Sequence, residues 1–99
     1  MSPIVEELSR RWQLMFSELQ RGDDLPPGMR LRTEGMMEAA VLVGAASAGE
    51  LQALMGDCYE EIAGTTLVEE FGADWSDFFA FPQIPAVANR APVYPSTKD

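Results

Sequence analysis

The sequence has no histidine and a single cysteine among its 99 residues, and these two scarcities exclude most compact catalytic and metal chemistry. Histidine is the commonest general base and a principal zinc ligand, so a Ser-His or Cys-His nucleophile pair cannot be built from this chain alone. Cys58 by itself cannot form an internal disulfide, a zinc finger or an iron–sulfur ligand set. We therefore predict that the protein is not an enzyme, with no catalytic residues, no cofactor and no metal site.

Basic residues are lacking from the central part of the chain. Between Thr33 and Asn89 there is no lysine or arginine, whereas ten acidic residues occupy that stretch, and the net charge of the chain is −9. A field of this sign repels phosphate backbones and anionic lipid headgroups, so we expect binding to neither nucleic acid nor membranes. A basic protein partner would be attracted, although the same charge would also serve simply to keep a small protein soluble.

Long apolar runs are lacking as well. The longest, from Ala39 to Ala46, is far shorter than the ~20 residues that a membrane-spanning helix needs. The first residues reach Glu6 and Glu7 without the basic and then apolar segments of a secretory signal. Because a lone cysteine fits a reducing compartment, we expect a soluble, cytoplasmic protein.

The feature that the sequence does have is helical periodicity, which predicts an all-α fold. We expect a small bundle of four to five helices with an extended, proline-rich carboxy-terminal arm. Ser2 and Pro3 suit the start of a first helix, apolar residues recur along one side of it as far as Leu19, and Gly22 suits its end.

The second predicted helix begins between Pro27 and Thr33 and runs to about Ala46. From Met36 onward it is apolar nearly all round, with Glu38 as its sole charge. A helix without a polar face is typically central. We therefore expect it to be covered on several sides, and pairing of two copies through it in a two-fold dimer would thicken an otherwise thin core.

Two capping-box sequences predict the starts of later helices. Ser47 with Glu50 indicates a third helix, and Thr66 with Glu69 indicates a short fourth helix that ends at Gly72. In a capping box the hydroxyl and the carboxylate each accept a hydrogen bond from the backbone N–H of the other residue. Both helices therefore carry their own start signal.

The last segments combine aromatic residues with prolines. Asp74 is expected to cap a final turn that carries Trp75, Phe78 and Phe79 on one side, and the prolines at positions 82, 85, 92 and 95 then exclude a regular helix. Each buried apolar side chain of the arm contributes roughly 1.5–3 kcal/mol, and ordering costs about 1–2 kcal/mol per residue. The arm therefore needs a groove, in its own helices or in a partner, unless it stays disordered. We divide the chain into a helical domain, residues 1–81, and an arm, residues 82–99, with a mobile distal end.

These patterns favour a non-enzymatic protein-binding module that acts as a homodimeric adaptor, regulator or accessory subunit. The alternative is an acidic inhibitor or nucleic-acid mimic that occupies a basic protein site, and a second alternative is a small enzyme or accessory subunit that uses carboxylates. The candidate contact residues are the aromatic and aliphatic side chains near the arm and the acids of the third and fourth helices; the same side chains would otherwise be core and solvated surface. These candidates are Trp75, Phe78, Phe79, Phe81, Ile84, Tyr94, Glu60, Glu61, Glu69 and Glu70.

Overall fold

The computed structural model describes residues 2–85, which form five helices and no strand. The predicted all-α fold is therefore confirmed. The part of the arm beyond residue 85, which includes the candidate Tyr94, lies outside the described residues. The helices are α1 (Pro3–Gln20), α2 (Pro27–Leu42), α3 (Ala48–Ala63), α4 (Leu67–Phe71) and α5 (Trp75–Phe78).

Helix α1 begins and ends where its capping residues predict. The Ser2 hydroxyl accepts a hydrogen bond from the Val5 N–H at 3.4 Å, and Pro3 occupies the first turn. At the other end Gly22 adopts a left-handed conformation with φ of 84°, and its N–H donates to the Leu19 carbonyl at 2.9 Å. This is the glycine-terminated helix end that stops an α-helix while satisfying its last carbonyl groups.

Helix α1 is the central element, and the expectation that the second helix would be central is wrong. Six side chains of α1 are buried, and they pack against both α2 and α3. Helix α2 buries four, of which one is a carboxylate, and it leaves much of its apolar surface uncovered. The periodicity of α1 is concentrated on one wide face, whereas the apolar residues of α2 point in all directions and only some of them reach the core. The buried residues of α1 are Val5, Leu8, Trp12, Met15, Phe16 and Leu19.

Helix α2 ends at Leu42 and not near Ala46. The cause is Gly44, which adopts φ of 75° and turns the chain away from the helix axis. The Gly44 N–H donates to the Val41 carbonyl at 3.0 Å, and the Ala45 N–H donates to the Ala40 carbonyl at 2.9 Å, so the helix end is fully capped. Gly44 is therefore the residue that stops α2.

Both capping boxes are present. The Ser47 N–H donates to a Glu50 carboxylate oxygen at 2.8 Å while the Glu50 N–H donates to the Ser47 hydroxyl at 3.1 Å. Thr66 and Glu69 exchange the equivalent pair of bonds, both at 3.0 Å. The starts of α3 and α4 follow the prediction because these bonds form between residues three apart. At α5, by contrast, Asp74 occupies the cap position but its side chain makes no capping hydrogen bond.

The three long helices run up, down and up, so α1 and α3 are parallel. Val5 and Leu54 line the same cleft at one end, and farther along the Phe16 ring meets the Tyr59 ring edge-on at a centroid separation of 5.1 Å. Within residues 2–85, α2 packs more on α1 than on α3, and the side of α2 that carries Leu31 and Leu42 is exposed.

Candidate protein-binding surfaces

The sequence leads one to expect Trp75, Phe78 and Phe79 on one side, but the three side chains differ in exposure. Trp75 and Phe79 are half-buried, whereas Phe78 is 69% exposed. The Phe79 ring packs edge-on against Phe71 at 5.5 Å, and Phe71 in turn contacts Tyr59 at 6.0 Å. Helix α5 is therefore attached to the core through a series of ring contacts, and Phe78 is the member of the group that is left for a partner.

The beginning of the arm folds back onto its own helices. Ile84 is 2% exposed and belongs to the core, and Pro85 is fully buried. Phe81 is half-buried and lies in the preceding turn, which contains a cis Phe81–Pro82 peptide bond. Ile84 is thus already buried within its own chain and does not present a contact surface. The groove that this part of the arm needs is intramolecular.

A buried carboxylate holds the arm in this position. Glu34 of α2 is 8% exposed, and one of its oxygens accepts hydrogen bonds from the Ile84 N–H at 2.9 Å and from the Arg30 guanidinium at 3.1 Å. A buried carboxylate without partners would be strongly unfavourable, so the pairing with Arg30 is what makes this placement possible. Sequence analysis missed Glu34, because the residue that it contacts lies 50 positions away.

The acidic candidates lie on two neighbouring helices. Glu60 and Glu61 are exposed on α3, Glu69 is exposed on α4, and Glu70 is half-buried there. Glu69 is already engaged in the capping box, and the hydrogen bond from the Thr66 backbone lowers the pKa of its carboxyl group, as do the Thr65 and Thr66 hydroxyls. Of these four acids, Glu60 and Glu61 are the exposed ones that have no structural bond of this kind.

Helix α3 carries four exposed acidic residues, and these two are among them. Glu50, Asp57, Glu60 and Glu61 are all exposed, and they extend over about 16 Å of the helix at 1.5 Å per residue. We call this set the α3 acidic face. Within residues 2–85, however, no group of three or more histidine, cysteine or acidic side chains is placed to hold a metal ion.

The strongest unforeseen feature is an exposed apolar line on α2. Leu31 is 57% exposed, Leu42 is 85% exposed, and Gly35 lies between them with no atom within 4 Å of the position that a Cβ would occupy. At about 100° per residue these three positions fall within about 40° of one another. We call Leu31, Gly35 and Leu42 the α2 outer face. Their spacing of four and seven residues can be read from the sequence, but the sequence does not show that these residues are exposed.

The two flanks of the α2 outer face differ in charge. On the side towards α1, a pocket of about 170 Å³ is lined by three arginines, Arg10, Arg11 and Arg32, together with Leu14 and Met29. On the side towards the arm, a cleft of about 320 Å³ is lined by Glu38, Val41, Leu42 and Phe81. We call these the arginine flank and the Glu38 flank.

Ion pairing inside the chain leaves one arginine of the arginine flank unmatched. Glu7 accepts hydrogen bonds from Arg10 at 2.6 Å and from Arg11 at 2.8 Å, and these two contacts lower the pKa of Glu7 to about 2. The guanidinium of Arg32 makes no ion pair or hydrogen bond with any residue between 2 and 85, nor does the carboxylate of Glu38.

A further cleft of about 380 Å³ lies at the amino-terminal ends of α1 and α3. Its polar lining residues, Ser2 and Glu50, are both engaged in helix caps, and the rest of its lining consists of alanine, valine and leucine side chains. Cys58 is buried in the core, where burial, and secondarily the charge of Glu61, raises the pKa of its thiol to about 11. The thiol is therefore protonated at neutral pH, as expected of an inert structural cysteine.

Comparison of the chain with protein-family models, with curated proteins and with solved structures finds no match. In the part of the chain that the structure describes, none of the helices has both the length and the apolar character needed to cross a bilayer.

Proposed function

We propose that the chain is a non-enzymatic protein-binding module that acts as a homodimer, and that the α2 outer face is its contact surface. The observation that carries this proposal is the alignment of two highly exposed leucines on one helix line, with a glycine between them. Single exposed apolar residues are ordinary on soluble proteins, but an aligned set on a helix face that no element within residues 2–85 covers is typical of an interaction surface. Each leucine contributes roughly 1.5–3 kcal/mol when it is fully buried.

The proposal is supported by how the arm is used. Ile84 and Pro85 fill a groove of the same chain, so the described part of the arm needs no partner to shelter it. The most exposed large apolar side chain among residues 2–85 is Leu42 of α2. We therefore assign the binding role to the outer side of the second helix, through which the sequence also suggested that two copies pair, and not to the described part of the arm.

The test is the mass of the protein in solution over a wide range of concentrations. We expect light scattering to give a mass that approaches twice 10.9 kDa as concentration rises. Leu42→Ser should shift the equilibrium to the single chain, because it removes the most exposed leucine from the contact. Val68→Ser is the matched control, since Val68 is 50% exposed but lies on α4, away from the α2 outer face. A single-chain mass for the unaltered protein at every concentration would contradict the proposal.

A second candidate function is an acidic inhibitor that occupies a basic site on another protein, and the α3 acidic face favours it. Its exposed carboxylates stand on a helix that has no basic residue. An association of this kind weakens steeply as salt rises. We expect a partner bound in this way to be released between low and moderate salt, and to be lost when Glu60→Gln and Glu61→Gln are combined. Retention in high salt, or by that double variant, would argue against this function.

A further inference from the structure

From the charges that border the α2 outer face, we infer that two copies pair with their α2 helices parallel, so that Arg32 of each copy faces Glu38 of the other. This inference rests on the proposed self-association and adds its orientation and its register. It makes the second copy the source of the two ionic partners that Arg32 and Glu38 lack within residues 2–85.

The first step is the position of the two charges on the helix. Arg32 lies three residues before Gly35 and Glu38 three residues after it, so each is about 60° round from Gly35, on opposite sides. The pockets confirm this division, since Arg32 lines the arginine flank and Glu38 lines the cleft beside Phe81. The outer face is therefore an apolar line with a positive flank and a negative flank.

The second step is the symmetry of a two-fold pair. When two identical helices pair antiparallel, the two-fold axis is perpendicular to them and brings each flank against the same flank of the other copy. In the antiparallel register that sets Leu31 against Leu42, each Glu38 would lie about 4.5 Å along the axis from the Glu38 of the other copy, which is repulsive, and no acid of α2 would face Arg32. When the helices pair parallel, the axis runs along them and brings each flank against the opposite one. Only the parallel arrangement places arginine against glutamate, and it does so twice.

The third step is reach and packing. In a parallel pair with equal register, Arg32 and the Glu38 of the other copy are about 9 Å apart along the axis, which the two extended side chains span together. Charged residues that border an apolar seam pair across helices in this way and set their orientation. Along the seam itself Leu31 packs against Leu31 and Leu42 against Leu42, while Gly35 allows the backbones to approach.

Chemical cross-linking tests the orientation directly. Leu31→Cys and Leu42→Cys are prepared separately and treated with a short bismaleimide, with the unaltered chain as the control because its Cys58 is buried. A parallel pair brings each new thiol against its own counterpart, so each variant should cross-link with itself. An antiparallel pair would instead give a product mainly when the two variants are mixed. That result would overturn the parallel orientation and leave self-association intact.

Charge reversal tests the register. We expect Arg32→Glu and Glu38→Arg each to raise the dimer dissociation constant roughly 10-fold, since two contacts turn from attractive to repulsive, and the double variant to restore it. Equal dissociation constants for all these chains would overturn the ionic contact. A dimer that none of the cysteine variants cross-links would place the contact away from α2, which would overturn this inference and the proposed contact surface but not the homodimer. A protein that is monomeric at every concentration would contradict both the inference and the proposed homodimer.

Discussion

The hydrogen bond between Glu34 and the Ile84 N–H should be one of the most important single contacts for the stability of the fold. Glu34→Ala leaves a buried backbone N–H without its acceptor, which costs about 1–3 kcal/mol, and it also removes the ion pair with the half-exposed Arg30, which contributes about 0–1 kcal/mol. We therefore expect a loss of about 2–3 kcal/mol in the free energy of unfolding. For a domain whose total stability is on the order of 5–15 kcal/mol, this loss is large.

Two measurements separate the contributions. Urea unfolding followed by tryptophan fluorescence gives the total loss, and hydrogen exchange at the Ile84 amide reports the single bond. In Glu34→Ala this amide should exchange roughly 30- to 160-fold faster, if exchange follows the same free energy. Glu34→Gln keeps an oxygen that can accept the bond and should lose about half as much stability. Arg30→Ala leaves the buried carboxylate without its ionic partner and should cost about 1–3 kcal/mol.

A control variant at an exposed acid shows how small the effect should be when no buried bond is lost. Glu60→Ala removes an exposed acid of α3 and should change the free energy of unfolding by less than about 0.5 kcal/mol. If Glu34→Ala behaves like this control, and the Ile84 amide remains as protected as before, then the carboxylate does not hold the arm and the reasoning fails.

Three further predictions follow from local contacts. Because burial raises the pKa of Cys58 to about 11, iodoacetamide should modify the native protein slowly at pH 8 and the urea-unfolded protein quickly; equal rates would contradict this. Contacts with Arg10 and Arg11 lower the pKa of Glu7 from 4.5 to about 2, so its contribution to stability is complete above pH 4.5 and is lost as the pH falls towards 2. Urea midpoints should therefore fall less between pH 6 and pH 3 in Glu7→Gln than in the unaltered chain. Gly44→Ala should destabilise by about 1–2 kcal/mol in thermal unfolding, because Gly44 has φ of 75° and a Cβ is strained there even though the space is open.

The features that the sequence predicted correctly depend on short-range contacts. Ser2, the Ser47 and Thr66 boxes, and Gly22 bond residues three positions away, so their effect can be read without knowing the fold. The apolar side of α1 could also be predicted, because six residues of that side are buried in the core. These signals sufficed for the all-α fold and for the starts of α1, α3 and α4.

The features that the sequence did not predict depend on which elements meet in space. The apolar composition of α2 indicated a helix that is buried on several sides, but composition does not say whether the same chain or a second chain buries it. Glu34 resembles any other helical glutamate until Ile84 is brought to it from 50 residues away. Phe78 and Phe79 are adjacent and of one type, but only the packing of Phe79 against Phe71 distinguishes a core ring from an exposed one.

The way in which Glu34 holds residue 84 has a consequence for sequence divergence. The carboxylate accepts its bond from the backbone, which every residue except proline can supply, while the side chain at 84 needs only to be apolar and of suitable size. Selection should therefore act on the acid at position 34 and tolerate drift among aliphatic residues at position 84. In related sequences, the conserved member of the contact would be the glutamate at position 34, although a glutamate is not a typical core residue.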